Sequence, residues 1–475
     1  MAEQNAELEM TGKLRFPIIT LILFVMACLG LYFSEGNPSY IIITLGITTI
    51  GLIIFGERYA FDHLLEKSGI PGREAWFPVI AVLLSLYLGA VPQETIWHVV
   101  QDKSDIIALI LSFAIISDGI AQSGYFSFAA YKIVQKCRGN TTRLILYLFI
   151  LTSALTFVTS NDIVVLVFTP IIIAVCMHAR IRNMRLLLLS QFIAANTLSM
   201  GLLIGSPTNI ILSNQLNIDF VSYFVLMFIP SILSCMLTFI VVDFINSRSK
   251  PECEGGFLNF KGRWTYHDHY SMPANVENAF FTDRMKYWLQ LFTAAVALVA
   301  FVSNAEASLF YAAIPISIFS LIFFFYDVRK DYNGAWQPAL KSTANIIRFL
   351  PYSVFFFGMS YFIFAYELSQ QHYVIETLLP FLYENVLDDL TKASVSMVFL
   401  SGFLVNTMND LPAAALVAEL MQQMEIHHGG LEGYTRMVVL QALLIGLNIG
   451  CYVTPIGALA GLLWFNIIRL SLIHI

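Results

Sequence analysis

LILYLFILTSALTFV-TSND-IVVLVFTPIIIAVCM fills residues 144–177 and decides how the rest of the chain is read. Four polar residues, Thr159-Ser160-Asn161-Asp162, separate two apolar runs, Leu144–Val158 and Ile163–Met177, of 15 residues each. As a helix each run is about 22 Å long, short of the roughly 30 Å hydrocarbon core of a bilayer. Lys132, Lys136, Arg138 and Arg143 precede the segment, and Arg180, Arg182 and Arg185 follow it. Positive charge marks the cytoplasmic side, which puts both ends there. The segment therefore reads as a re-entrant hairpin with its polar tip near the membrane midplane. Irregular backbone survives at that depth only where protein buries it or a cavity wets it.

Composition agrees. Of 475 residues, 57% are hydrophobic and 12% charged, with a mean hydropathy of +0.72. Soluble chains carry about 25% charged residues, so this is a polytopic membrane protein. The net charge of −6 and the absence of a basic stripe give no reason to expect a nucleic-acid partner. Cys28, Cys137, Cys176, Cys235, Cys253 and Cys451 are scattered without metal or redox spacing. His267 and His269 in the longest polar loop match no metal box either. The first apolar run, Phe16–Phe33, follows Lys13 and Arg15 and is long for a cleavable signal, so it reads as a retained span.

Further apolar runs follow at Tyr40–Phe55, Trp76–Val91, Ile106–Ala121, Leu186–Ile204, Phe220–Phe244, Tyr287–Val302, Leu309–Tyr326, Ile346–Tyr366, Ala393–Met424 and Met437–Leu470. Loops 34–39, 213–219 and 303–308 lack Lys and Arg, whereas 56–75, 245–286 and 327–345 carry them. That alternation places the N-terminus in the cytoplasm and stays in phase only if 144–177 turns back. The expected fold is an all-α polytopic membrane protein of about 10 transmembrane helices plus two re-entrant hairpins. Residues 1–245 form the first half, 246–286 a cytoplasmic linker, and 287–475 the second half with a hairpin at 393–424.

The halves are tied by an internal repeat. Asn161-Asp162 recurs as Asn409-Asp410, and Pro207 recurs as Pro455, both at an offset of 248 residues. Counting spans, the second half starts from the opposite side, which makes the repeat inverted with broken helices meeting at mid-membrane. Secondary transporters are built in this way.

Candidate substrate or ion ligands follow from those breaks: Ser160, Asn161 and Asp162; Gly205, Ser206, Pro207, Thr208 and Asn209; Asn406, Asn409 and Asp410; Thr454, Pro455 and Gly457. Helix capping accounts for part of this polarity. Yet Ser160 or Asn409 caps without charge, and a carboxylate at membrane depth costs about 2.5–3.5 kcal/mol on insertion scales. Two repeat-related carboxylates point instead to a coupling ion, H+ or Na+, at Asp162 and Asp410. Asn196 and Ser199 either line the approach or bond across helices. Asp118 reads as a helix-end carboxylate, and Cys451 and Cys176 as small apolar fillers.

These motifs resemble the ion-transporter superfamily of arsenite permeases, NhaD-type sodium/proton antiporters, and citrate and dicarboxylate carriers. Ser160-Asn161-Asp162 with Ile163–Pro170 is similar to the arsenite-permease pattern, as are Gly205–Asn209, Asn409–Pro412 and Val453–Trp464. Ser206 and Asp410 stand where that pattern has Asn. The resemblance covers about Ile106 to Asn466 and implies a secondary active transporter of a small inorganic oxyanion or its neutral acid, arsenite-like or antimonite-like. It further implies a bacterial inner-membrane location, no cofactor beyond the coupling ion, and a homodimer or an ATPase subunit as admissible partners. The alternatives are a sodium/proton antiporter, a citrate-type carrier, or a channel subunit driven by an ATPase. The chain has no P-loop of its own, and no His-Glu-x-x-His or Gly-x-Ser-x-Gly, so it does not read as an enzyme. The repeat also predicts a further span after Leu470, and Leu470–Ile475 reads like a translated sequencing adapter, so the second half is expected to lack its last helix.

Overall fold

The computed structural model describes residues 25–34, 36–55, 73–137, 141–178, 184–248, 281–348, 352–429 and 433–454, with 457, 458, 460, 461, 464, 467 and 468. Among them every regular element is helical. In the first half these are α1 (Pro38–Phe55), α2 (Arg73–Tyr87), α3 (Gln93–Gln122), α4 (Tyr125–Cys137), α5 (Thr141–Val158), α6 (Asn161–His178) and α7 (Met184–Ser199). A 3-10 turn, Leu203–Gly205, then leads to α8 (Pro207–Gln215) and α9 (Phe220–Arg248). The second half has α10 (Asp283–Asn304), α11 (Phe310–Asp331), α12 (Trp336–Arg348) and α13 (Tyr352–Ser369). A π turn, Val374–Leu378, precedes α14 (Leu379–Asn385), α15 (Leu390–Met408), α16 (Asp410–His428) and α17 (Gly433–Gly450).

The offset of 248 residues carries across this order. It moves α1 onto α10, α4 onto the π turn and α14, α5 onto α15, α6 onto α16 and α7 onto α17.

Six described helices are long and apolar enough to cross a membrane: α3, Phe220–Phe244 of α9, α10, α11, α15 and α17. Five shorter apolar helices accompany them, including the segments Arg143–Phe157 and Asn161–Ile173. Large apolar side chains such as Val225, Leu233, Phe301, Phe319 and Phe399 point outward from these helices, where a soluble protein carries charge. The chain is an integral membrane protein.

Packing sorts the described helices into two groups. One holds α1, α2, α3 and α10–α13, with α3 against α10, α11 and α13. The other holds α5–α9 and α15–α17, with α7 against α5, α6 and α9, and α16 against α8, α15 and α17. The main contact between groups is α13 on α16. Within the first group, the buried Trp288 indole donates to Asp327 Oδ2 at 3.0 Å, and its ring occupies the space where a Cβ on Gly119 would sit. Within the second, α15 and α17 cross at Gly402, Gly446 and Gly450; a Cβ on Gly450 would lie 2.5 Å from Gly402 Cα. Small residues permit such approach where lipid supplies no hydrophobic force between helices.

Several boundaries differ from the sequence reading. α5 and α6 are 18-residue helices, about 27 Å long, that outrun the 15-residue apolar runs: α5 adds Thr141, Thr142 and Arg143, and α6 adds Asn161, Asp162 and His178. The second hairpin extends from 393–424 to 390–428, since Asp389 caps α15 by accepting the Thr391 and Lys392 amides at 2.9 Å each. Residues 336–345, read as loop, open the amphipathic helix α12, which buries Ala339, Thr343 and Ile346 at helical spacing. The middle of the linker, residues 249–280, the segment 470–475 and Pro455 lie outside the described residues.

Candidate functional site

Each polar tip begins a helix. At the first, Thr159 closes α5 by bonding back to Leu155 O at 2.8 Å, and Ser160 and Asn161 lead into α6. Asn161 Oδ1 accepts the Asp162 amide at 2.9 Å, which holds its side chain over the first turn of α6. Its Nδ2 donates to Asn196 Oδ1 of α7 at 2.8 Å. Ser160 is half-buried, and its hydroxyl lies 3.4 Å from Asn161 Oδ1. Asp162 accepts the backbone N–H of Ala460, from the far end of the chain. Its Oδ1 is buried and makes no hydrogen bond within the chain.

At the second tip a single residue, Asn409, joins α15 to α16. Its φ of 78° and ψ of 164° lie in a region that side chains rarely adopt. Asp410 follows, 5% exposed, with Oδ1 accepting the Leu411 amide at 3.0 Å. Asn406, one turn earlier, ties α15 to α17: Nδ2 donates to Gly402 O at 2.7 Å and Gly450 O at 2.6 Å. Its Oδ1 accepts the Thr454 amide and hydroxyl at 2.9 and 2.8 Å.

The two breaks after α7 and α17 complete the arrangement. Ser206 is extended between the 3-10 turn and α8, and Pro207 opens α8 where no amide donor is needed. Gly205, Ser206, Pro207, Thr208 and Asn209 are all buried, and Ser206 Oγ meets Thr208 Oγ1 at 2.9 Å. Asn209 Nδ2 donates to Ser199 O and Leu202 O, holding the broken strand of chain onto the end of α7. Its Oδ1 accepts from Asn448 Nδ2 of α17 at 3.1 Å, and Ser199 Oγ lies 3.5 Å from Asn448 Oδ1. Gly457 is buried, and a Cβ there would lie 2.6 Å from Cys451 Cα. Cys451 is buried, and the charges of Asp410 and Asp162 both reach its thiol.

The structure thus joins Asn161, Asn196, Ser199 and Asn209 through one polar network and joins Asn406 to Thr454, while the charges of Asp162 and Asp410 both reach Cys451. Asp118 stays apart: near the end of α3 it accepts from Gln122 Nε2 at 2.7 Å, as a helix-end carboxylate does. Asn448 was missed in the sequence, although an amide inside the apolar run before Pro455 is a signal for it. Lys103, Gln215 and Glu419 were missed as well, and all three are buried.

Apolar helices long enough to cross a bilayer, interrupted at buried polar tips, are the build of a membrane transport protein. The chain belongs to the citrate transporter family, whose model matches residues 73–446. It is similar to the arsenical pump membrane protein of Escherichia coli, with 24% identity over 404 residues, covering 83% of this chain and 85% of that protein. The arsenical pump membrane protein of Yersinia enterocolitica is 24% identical over 405 residues, with 83% and 85% covered.

Proposed function

We propose that the chain is a secondary active transporter of a small trivalent oxyanion's neutral acid, of the arsenite or antimonite kind, coupled to H+ or Na+ at Asp162 and Asp410. The observation that supports the reading is a carboxylate in the first turn of α6 and of α16 inside the apolar bundle, Asp162 with a buried Oδ1 that makes no hydrogen bond within the chain and Asp410 5% exposed. Segments 144–179, 186–247, 393–435 and 437–468 contain no Lys or Arg, so an anion here would face two carboxylates without a cationic side chain. An uncharged hydroxy acid instead donates its O–H groups to carboxylate and amide oxygens. That argument favours a neutral acid over citrate, in line with the arsenical pumps among the relatives. The α6 and α16 N-termini stabilise negative charge, so either carboxylate can give up a bound cation without leaving its helix.

The same reading makes α5–α6 and α15–α16 re-entrant hairpins of an inverted repeat, with the N-terminus cytoplasmic in a bacterial inner membrane. Residues 1–245 and 287–475 are the two halves of that repeat, joined by the linker 246–286. Purified protein in vesicles, with imposed proton or sodium gradients, tests it. Gradient-driven antimonite flux is expected, with citrate neither carried nor competing. Flux that only runs downhill, and accumulates solely with an added ATPase, would replace the carrier with a channel subunit.

A further inference from the structure

A second buried ionisable cluster lies between the two packing groups, away from the asparagine network. Lys103 of α3 is 3% exposed and Glu419 of α16 is 1% exposed. Lys103 Nζ stands 2.5 Å from Asp102 Oδ2 and 3.6 Å from Glu419 Oε1. It also donates to Gln215 Oε1 at the end of α8, and Gln215 Nε2 donates to Gln422 of α16. Three acceptors share the three N–H bonds of one ammonium, and Glu419 is the most distant. Glu419 Oε2 is buried and has no partner.

The charge does not balance. Asp102 and Glu419 carry two negative charges against the single positive charge of Lys103. Asp102 is 53% exposed and shares its charge with water, whereas Glu419 is enclosed. Breaking a buried ion pair so that one charge is left uncompensated is strongly unfavourable. Glu419 lies nine residues beyond Asp410, about half a turn round the helix, so it points away from the face that carries Asp410. It is therefore a separate station rather than part of the paired carboxylates.

Other ionisable groups near it are already engaged or remote. On α13, Tyr366 feels the charges of Glu419, Glu367 and Asp102. Glu367 accepts from Thr95 at 2.9 Å and Gln371 at 3.2 Å, and the His98 ring packs 5.0 Å from Tyr366. On α17, Arg436 pairs with Glu425 of α16 at 2.9 Å. On α15, Lys392 pairs with Asp388 at 3.0 Å, and on α14 Tyr383 stacks on His428. From α8 only the uncharged Gln215 reaches the cluster.

We propose that Glu419 is a proton-exchange site that trades Lys103 for a proton when α16 moves against α3. This rests on the carrier reading above, because only alternating access requires the two packing groups to separate. As they part, Lys103 stays with Asp102, its neighbour on α3, and Glu419 Oε2 takes a proton from water on the side that Asp102 faces. On return the proton leaves to the same water, and the carboxylate accepts Lys103 again. One proton is bound and one released, with no other bond changed.

Infrared difference spectra of the full chain in lipid vesicles, taken between acidic and alkaline buffer without substrate, test the proposal. The carboxylic C=O band that appears on acidification should include a component lost in Glu419→Gln and retained in Asp162→Asn and Asp410→Asn. A neutral pair, Lys103→Met with Glu419→Gln, covers the case in which the single variant misfolds, and it should lose the same component while eluting as one monodisperse peak. A Glu419→Gln or paired variant with the wild-type spectrum would overturn the site. If the wild type carries no antimonite, the transport reading fails, while the spectra still decide Glu419.

Discussion

The two tips start from the same dipeptide and solve the same problem differently. Asn161 sits in ordinary backbone, accepts the Asp162 amide with its own side chain and reaches Asn196 on α7. Asn409 turns the chain in one residue at φ 78° and stands where only glycine is at ease. The first tip spends its polar groups on partners brought by other helices, including Ala460 from the opposite half. The second is held from behind, by Asn406 clamped to Gly450 O and by the glycine crossing of α15 and α17. One tip is placed by hydrogen bonds that can be exchanged, and the other by a backbone that cannot shift.

The largest effect expected from breaking this contrast is on the rigid side. Gly450→Val puts a branched side chain 2.5 Å from Gly402 Cα, where backbone rather than a side-chain end must yield. It should cost about 3 kcal/mol or more and leave little folded protein by fluorescence-detected gel filtration. Next is Asp162→Asn, which should abolish or uncouple vesicle uptake at normal membrane levels, checked by blotting. Full, normally coupled uptake would return Asp162 to a capping role. Asp410→Asn should leave partial uptake with altered pH dependence, because a neutral amide can still accept the Leu411 amide bond. The smallest effect is the sharpest comparison. Asn409→Gly should raise thermal stability by about 1 kcal/mol by relieving backbone strain. Ser160→Gly, at a tip without positive φ, should lower it by about 0.5–1 kcal/mol through added chain freedom. Equal signs in thermal shift would mean that the tips do not differ in strain.

Much of the architecture was legible because breaks in apolar runs are local. Asn161-Asp162, Gly205–Asn209 and Asn409-Asp410 each interrupt a run, and each proves to be a helix boundary. The weaker elements escaped for an equally local reason. Helices α4, α12 and α14 are short, of mixed polarity and adjacent to charge, so α4 and α14 fall outside every apolar run and the first residues of α12 read as loop. Buried Lys103 and Glu419 escaped because nothing nearby marks them: their meaning depends on each other, across 316 residues. Asn448 is similar, one amide whose partner Asn209 lies in the other half. Pattern along the chain finds where helices end, and only the fold tells which polar side chain has company.

The bond from the Ala460 amide to Asp162 also sets a clock. Ribosomes add roughly 5–20 residues per second, and Ala460 is made 298 residues after Asp162. For tens of seconds of synthesis the carboxylate of the first tip lacks that donor, and Asn209 waits 239 residues for Asn448. The first half cannot reach its final form while the second is still on the ribosome, so a nascent chain stalled before α17 presents an open polar tip that membrane quality control can recognise.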